Sequence, residues 1–207
     1  MMFDKEKITT IIFDWSGVCC KEGEPFASLD LQEKLSMNPE QIADEVREIY
    51  YGYYKGNYNR DTFWRAILDH FGLPEDKRLN PETLSHAYLS SYAPYPEVLE
   101  FIEKLKKKYQ IGLLSNLTPE MRDHIQTRHV MKQYFDVEVY SCDPDVADIK
   151  PNAHVYEIIL KKMKTQASAT LFVDDSLKNV VAAEALGFQT IHFKNVAEFL
   201  HDIAILL

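Results

Sequence analysis

Cysteine is scarce in this chain of 207 residues: only Cys19, Cys20 and Cys142 are present, and two of them are adjacent. That number and spacing exclude a disulfide framework, and no C-x-x-C pair signals zinc or thiol redox chemistry. Long apolar runs are missing as well. Nothing approaches the roughly 18 consecutive apolar residues of a membrane span, and the closing FLHDIAILL is too short. The opening MMFDKEKITTIIFDWS sets acids and lysines before a short apolar run, which does not read as a signal peptide. Positive charge is the third scarcity. Lys and Arg number 23 against 32 Asp and Glu, for a net charge of −9. That balance argues against a nucleic-acid or anionic-membrane partner gripped by bulk charge. An anionic ligand then needs local help from a lysine, backbone amides or a metal. Repeats and low-complexity segments are absent too, and the chain reads as cytoplasmic and reduced.

What is present is core-forming material. Hydrophobic residues make up 46% and aromatics 12%, while charged residues at 27% carry no disorder signature. The length fits one globular unit with a small inserted module. Two patterns alternate along it. Apolar, partly β-branched runs at 8–13, 110–115, 137–141, 170–174 and 189–193 predict strands. Between them, 96–108, 118–130, 152–164, 176–186 and 195–205 predict helices, with Pro119 and Pro151 at helix starts and Gly187 after a helix end. Strand and helix in alternation imply an α/β architecture, a doubly wound parallel sheet. Residues 19–92 break the rhythm with several amphipathic helical segments punctuated by Gly and Pro. We expect a core built from 1–18 and 93–207, with 19–92 inserted after the first strand as a helical module.

In such a sheet, ligands bind beyond the carboxyl ends of the strands. Asp14 follows the first strand, Ser115-Asn116 end the second, and Asp174-Asp175 end the fourth. Lys150 lies after the third strand, just before Pro151. Taken singly, each has a bland reading: turn residue, helix cap or solvated charge. Taken together, three carboxylates converging in one crevice repel, so they need a bound cation or strongly raised pKa values. Oxygen ligands of this kind suit Mg²⁺.

Four segments carry a resemblance. FDWSGV at 13–18, LLSN at 113–116, KPNAHVYE at 150–157 and FVDDSLKNVVAAEALG at 172–187 resemble, in order and spacing, the motifs of the haloacid dehalogenase-like superfamily. The likeness covers the whole core, and the helical insertion resembles that superfamily's cap. The nearest branch in character contains small sugar-phosphate phosphatases and the amino-terminal phosphatase domain of epoxide hydrolases. The resemblance implies that Asp14 is a nucleophile forming an aspartyl-phosphate. It implies that Ser115 and the amide of Asn116 hold phosphoryl oxygens, and that Lys150 balances charge. Mg²⁺ would be bound by Asp14, the backbone carbonyl of Ser16 and Asp175, with Asp174 supporting directly or through water. The implied reaction is hydrolysis of a small phosphorylated metabolite.

One position departs from the pattern. Phosphatases of the superfamily usually carry a second aspartate two residues after the nucleophile, as general acid and then base, where this chain has Ser16. A hydroxyl does not exchange protons near neutral pH, and such help is typically worth about 10²–10⁴-fold. A catalytically weak relative that binds a phosphorylated ligand or signals is therefore an alternative. A haloacid dehalogenase is a further one, disfavoured because dehalogenases of the superfamily typically lack the acidic pair. A serine hydrolase has no support, since Asp14-Trp15-Ser16-Gly17 is not G-x-S-x-G.

Tyr50, Tyr51, Tyr53, Tyr54, Tyr58, Phe63 and Trp64 crowd one stretch. At helical spacing most of them are expected to pack inside the insertion, with one or two facing the sheet. Cys19 and Cys20 are expected to pack rather than react. Asn179 either orients Lys150 or the acidic loop, or sits exposed on its helix. The seven histidines are dispersed, without H-x-x-x-H spacing, and none is assigned to metal.

Overall fold

The computed structural model describes residues 4–21 and 25–207; residues 1–3 of the expected core and 22–24 of the expected insertion lie outside the described residues. Strand β1 (Thr10–Phe13) leads through a short β2 (Cys20–Lys21) into five helices, α1 (Leu29–Leu35), α2 (Pro39–Glu45), α3 (Arg47–Tyr54), α4 (Arg60–His70) and α5 (Pro81–Ser90). Strand β3 (Ala93–Pro94) and α6 (Pro96–Leu105) lead back to β4 (Gln110–Ser115), α7 (Pro119–Arg128), α8 (Met131–Tyr134) and β5 (Val137–Tyr140). Then follow α9 (Ala153–Met163), β6 (Thr170–Asp174), α10 (Leu177–Ala185), β7 (Gln189–His192) and α11 (Val196–Ile203).

The five longer strands form one parallel sheet in the order β5-β4-β1-β6-β7. Every residue of the central strand β1 is buried. That burial explains a run of apolar and β-branched residues with no polar alternation. Successive side chains still point to opposite faces. Ile11 and Phe13 join Ile111, Leu113, Leu171 and Val173 under α6 and α11, where Val98, Ile102, Phe199 and Ile203 are buried. Ile12 faces the other way with Leu114, Val139 and Phe172, against Val155, Tyr156, Ile159 and Met163 of α9. Helices on both faces make the fold an α/β doubly wound, Rossmann-like sheet.

Helix starts follow local chemistry. Asn38 and Asn59 cap α2 and α4 in reciprocal boxes with Gln41 and Thr62, and Thr118 caps α7 with Pro119 at its first turn. The apolar cluster on the first face continues into the helical segment through Phe26, Leu31, Tyr53 and Trp64, so segment and sheet share one core. Two details differ from the sequence expectation. The entry and exit of the helical segment are tied together as an antiparallel ribbon, Cys20 opposite Pro94 and Lys21 opposite Ala93, and 118–130 is followed by a separate short α8. Pairs of two residues carry no periodicity to read.

Candidate active site

Register brings the polar residues to one edge. Phe13 lies opposite Leu113 on one side and Val173 on the other, so the next residue, Asp14, is level with Asp174 and one step short of Ser115. The chain runs from β1 outward to β4 and β5, then returns to the other flank of β1 at β6. Reversal of this kind opens a crevice at the carboxyl ends of the strands.

Asp14 is buried and fully engaged. Its Oδ1 accepts from the Ser115 hydroxyl at 2.6 Å and from the Trp15 amide at 2.7 Å. Its Oδ2 meets Lys150 Nζ at 2.8 Å. The same ammonium reaches Asp174 Oδ2 at 2.7 Å, with its side chain 1% exposed. An unpaired ammonium there would cost several kcal/mol of desolvation. The two carboxylates outweigh that cost and hold the lysine above its ordinary pKa even though burial pulls it down.

The loop bearing Lys150 is fixed by Asn116. The side-chain amide of Asn116 donates to the Lys150 carbonyl at 3.1 Å, and its Oδ1 accepts from the Lys150 amide at 2.9 Å. Asp174 is held by the Ser176 amide at 2.9 Å and by Asn179 Nδ2 at 3.0 and 3.2 Å. Asn179 is buried. Of its two sequence readings, the orienting one is the one realised, acting on Lys150 through Asp174.

Asp175 completes a trio. One oxygen from each of Asp14, Asp174 and Asp175 lies within 4.8 Å of the others. Gly17 makes room for it: its φ is +81°, and a Cβ there would lie 2.2 Å from Asp175 Oδ2. Three carboxylates share one lysine, which leaves an excess of two negative charges. Burial, opposed by Lys150 and reinforced by Asp174 and Asp175, pushes Asp14 up to about 7. Burial and then Asp174 raise Asp175. Oxygen donors with unspent negative charge are what a hexacoordinate Mg²⁺ with ligands at about 2.1 Å requires.

A cleft of about 610 Å³ opens over this group, lined by Asp14, Ser16, Asn116, Lys150 and Asp175 below. Glu48, Tyr51, Tyr54, Lys55 and Asn57 from α3 and the turn after it form the opposite wall. Of the crowded aromatics, Tyr53, Phe63 and Trp64 are buried, with Tyr53 stacked on Phe63 at 4.1 Å. Tyr51 and Tyr54 face the cleft. Cys19 and Cys20 are buried and form no disulfide; Cys19 Sγ donates to the Asp14 carbonyl at 3.2 Å, and burial keeps that thiol protonated. Sequence reasoning passed over Glu48, Lys55, Asn57 and Lys178. The first two could have been found from the spacing 48, 51, 52, 55, which is one face of a helix.

Comparison with known proteins points to the same fold. D-ribitol-5-phosphate phosphatase from Bacteroides thetaiotaomicron is 24% identical over 213 residues, covering 97% of this chain and 98% of that protein. A haloacid dehalogenase family enzyme of that bacterium, crystallised with magnesium and inorganic phosphate, superposes with a TM-score of 0.77 at 21% identity, over 90% of this chain and 94% of that one. A predicted hydrolase of the same kind from Porphyromonas gingivalis superposes with a TM-score of 0.80 at 23% identity, over 97% and 98% of the two chains. The family model for haloacid dehalogenase-like hydrolases matches residues 8–187. With the sheet order, the acidic trio and that match across most of its length, the chain belongs to the haloacid dehalogenase-like hydrolases.

Proposed function

We propose that the protein is a Mg²⁺-dependent phosphatase of small phosphorylated metabolites that works through an aspartyl-phosphate on Asp14. The observation that carries this reading is the charge balance of the site, three carboxylates against one lysine. One divalent cation cancels that excess and lets a phosphate dianion approach. Asp14, Asp175 and the carbonyl of Ser16 are the residues that would hold it. Asp174, whose oxygens are already taken by Lys150, Ser176 and Asn179, supports from behind. When bound, the cation supplies charge neutralisation and orientation for the phosphoryl oxygens.

The chain's own residues do the rest. Asp14 is aimed by Ser115 and Trp15 and attacks phosphorus in line with the leaving oxygen. Ser115 and the backbone amide of Asn116 receive phosphoryl oxygens. Lys150 stabilises the equatorial charge, the largest contribution a protein makes to phosphoryl transfer. Water then cleaves the aspartyl-phosphate. The segment 19–92 serves as a cap whose α3 wall excludes water and selects the substrate.

A polar wall of Glu48, Tyr51, Lys55 and Asn57 suits a hydroxylated leaving group, as does the likeness to a ribitol-phosphate phosphatase. Ser16 favours a second reading, a weakly catalytic phospho-ligand binder. One experiment separates the two: phosphate release from a panel of polyol, sugar and alkyl phosphates, with and without Mg²⁺. The phosphatase reading expects Mg²⁺-dependent release with polyol or sugar phosphates ahead of simple alkyl ones. Phosphate binding without release from any ester would favour the second reading. Halide release from 2-chloropropionate in place of phosphate release would contradict both.

A further inference from the structure

We infer that Glu48 supplies the proton exchange that Ser16 cannot. The inference rests on the phosphatase reading of the same site and adds a residue to it. Transfer from an alcohol ester to Asp14 leaves an alkoxide that needs a proton, and hydrolysis of the aspartyl-phosphate needs a base for water. Ser16 borders the cleft beside Asp14, but a serine hydroxyl neither gives nor takes a proton near neutral pH.

Among the described cleft residues, other groups are spoken for or unsuited. Lys150 is locked between Asp14 and Asp174. Lys55 pairs with Asp148 at 3.5 Å, and an ammonium does not take a proton from water. The Tyr54 hydroxyl is bonded to that of Tyr50 at 2.7 Å. Asp175 sits behind Gly17 within the acidic trio. Glu48 is the remaining carboxylate. It lies in the first turn of α3, on the face where Tyr51, Gly52 and Lys55 also line the cleft. Its side chain is exposed on the cleft wall, with the Arg47 guanidinium as a charged neighbour.

The proton balance is simple. As the bond from Asp14 to phosphorus forms and the ester P–O bond breaks, the leaving oxygen takes a proton delivered from solvent through the Glu48 carboxyl group. Water then attacks phosphorus and gives a proton to the Glu48 carboxylate as the bond to Asp14 breaks. Alcohol and phosphate leave, and both side chains return to their starting states.

Glu48→Gln keeps the length and hydrogen bonding of the side chain but removes this exchange. With p-nitrophenyl phosphate and Mg²⁺, whose leaving group needs no proton, the variant should release a burst of nitrophenolate approaching one per chain. Steady turnover should then run about a hundredfold or more below wild type. Ser16→Asp added to Glu48→Gln should restore steady turnover, which a purely substrate-binding role for Glu48 does not predict. Steady turnover of Glu48→Gln within about threefold of wild type would overturn the inference. Slowing without a burst, or slowing that Ser16→Asp leaves unchanged, would do the same. A wild-type protein inactive on this ester would overturn the phosphatase reading itself.

Discussion

Asp14 is a carboxylate kept in a place that disfavours its charge. Its ordinary value of 3.8 is raised to about 7 in the folded, metal-free protein. The folded state therefore binds a proton that the unfolded state has already lost, and stability declines as pH rises from about 4 to about 7. Thermal melts in EDTA should show that decline in wild type and a flatter profile in Asp14→Asn. Mg²⁺ competes with the same proton, so its affinity by titration calorimetry should fall about tenfold per pH unit below neutrality. An affinity independent of pH between 5 and 7 would contradict the assignment of Asp14 to the cation. Asp14, Ser115 and Asp174 are legible in the sequence because each ends or directly follows a strand, and Lys150 because it shortly precedes a helix. There, topology alone decides what meets what. Their partners are less so: that the Asn116 side chain clamps the Lys150 backbone depends on the exact rise of two loops, which no pattern encodes.

At the scale of elements, two turns control the site. The Gly17 turn after β1 leaves space for Asp175, and Gly17→Ala places a methyl on that carboxylate at a backbone angle costing about 1–2 kcal/mol. Loss of Mg²⁺ binding by at least tenfold, with the fold retained by circular dichroism, is the expected result. The second turn ends α3. Gly56, at φ +78°, lies against the Cys142 carbonyl, 2.6 Å from where a Cβ would sit. Near it, the Tyr54 carbonyl accepts from the Ser141 hydroxyl at 2.7 Å. The Tyr53 hydroxyl donates to Glu120 at 3.0 Å, and Ser85 donates to the same carboxylate. Gly56→Ala should push α3 off the sheet edge. A lower urea midpoint and a KM raised several-fold at similar kcat would show this, whereas an unchanged KM would mean that α3 does not shape the substrate site. The sheet and its helices are readable because their periods are long enough to repeat. The ribbon of β2 and β3 is not, nor is the cleft face of α3, whose polar residues look like any solvated surface until the sheet edge is placed opposite them.

For the molecule as a whole, the net charge of −9 acquires a location. Part of it lies in the trio around one lysine, with Asp14 and Asp174 buried and Asp175 open to the cleft, where on the proposed reading it would attract a cation and, through that cation, a single phosphate. Bulk acidity still opposes polyanions, because a surface field acts on every phosphate of a polymer at once. The apolar cluster shared by sheet and helical segment predicts that the two unfold together. A single unfolding transition in urea should follow, with tryptophan fluorescence from Trp15 and Trp64 coinciding with circular dichroism. Among the described residues no helix is long and apolar enough to cross a membrane.

The most direct measurement is phosphate release by wild type and Asp14→Asn from the best ester of the panel, each with Mg²⁺ and with EDTA. Release by wild type with Mg²⁺ alone, falling about a thousandfold or more on either chelation or substitution, is what an Asp14 nucleophile and an acidic metal site predict. Release that survives in Asp14→Asn, or that proceeds undiminished in EDTA, would contradict the account.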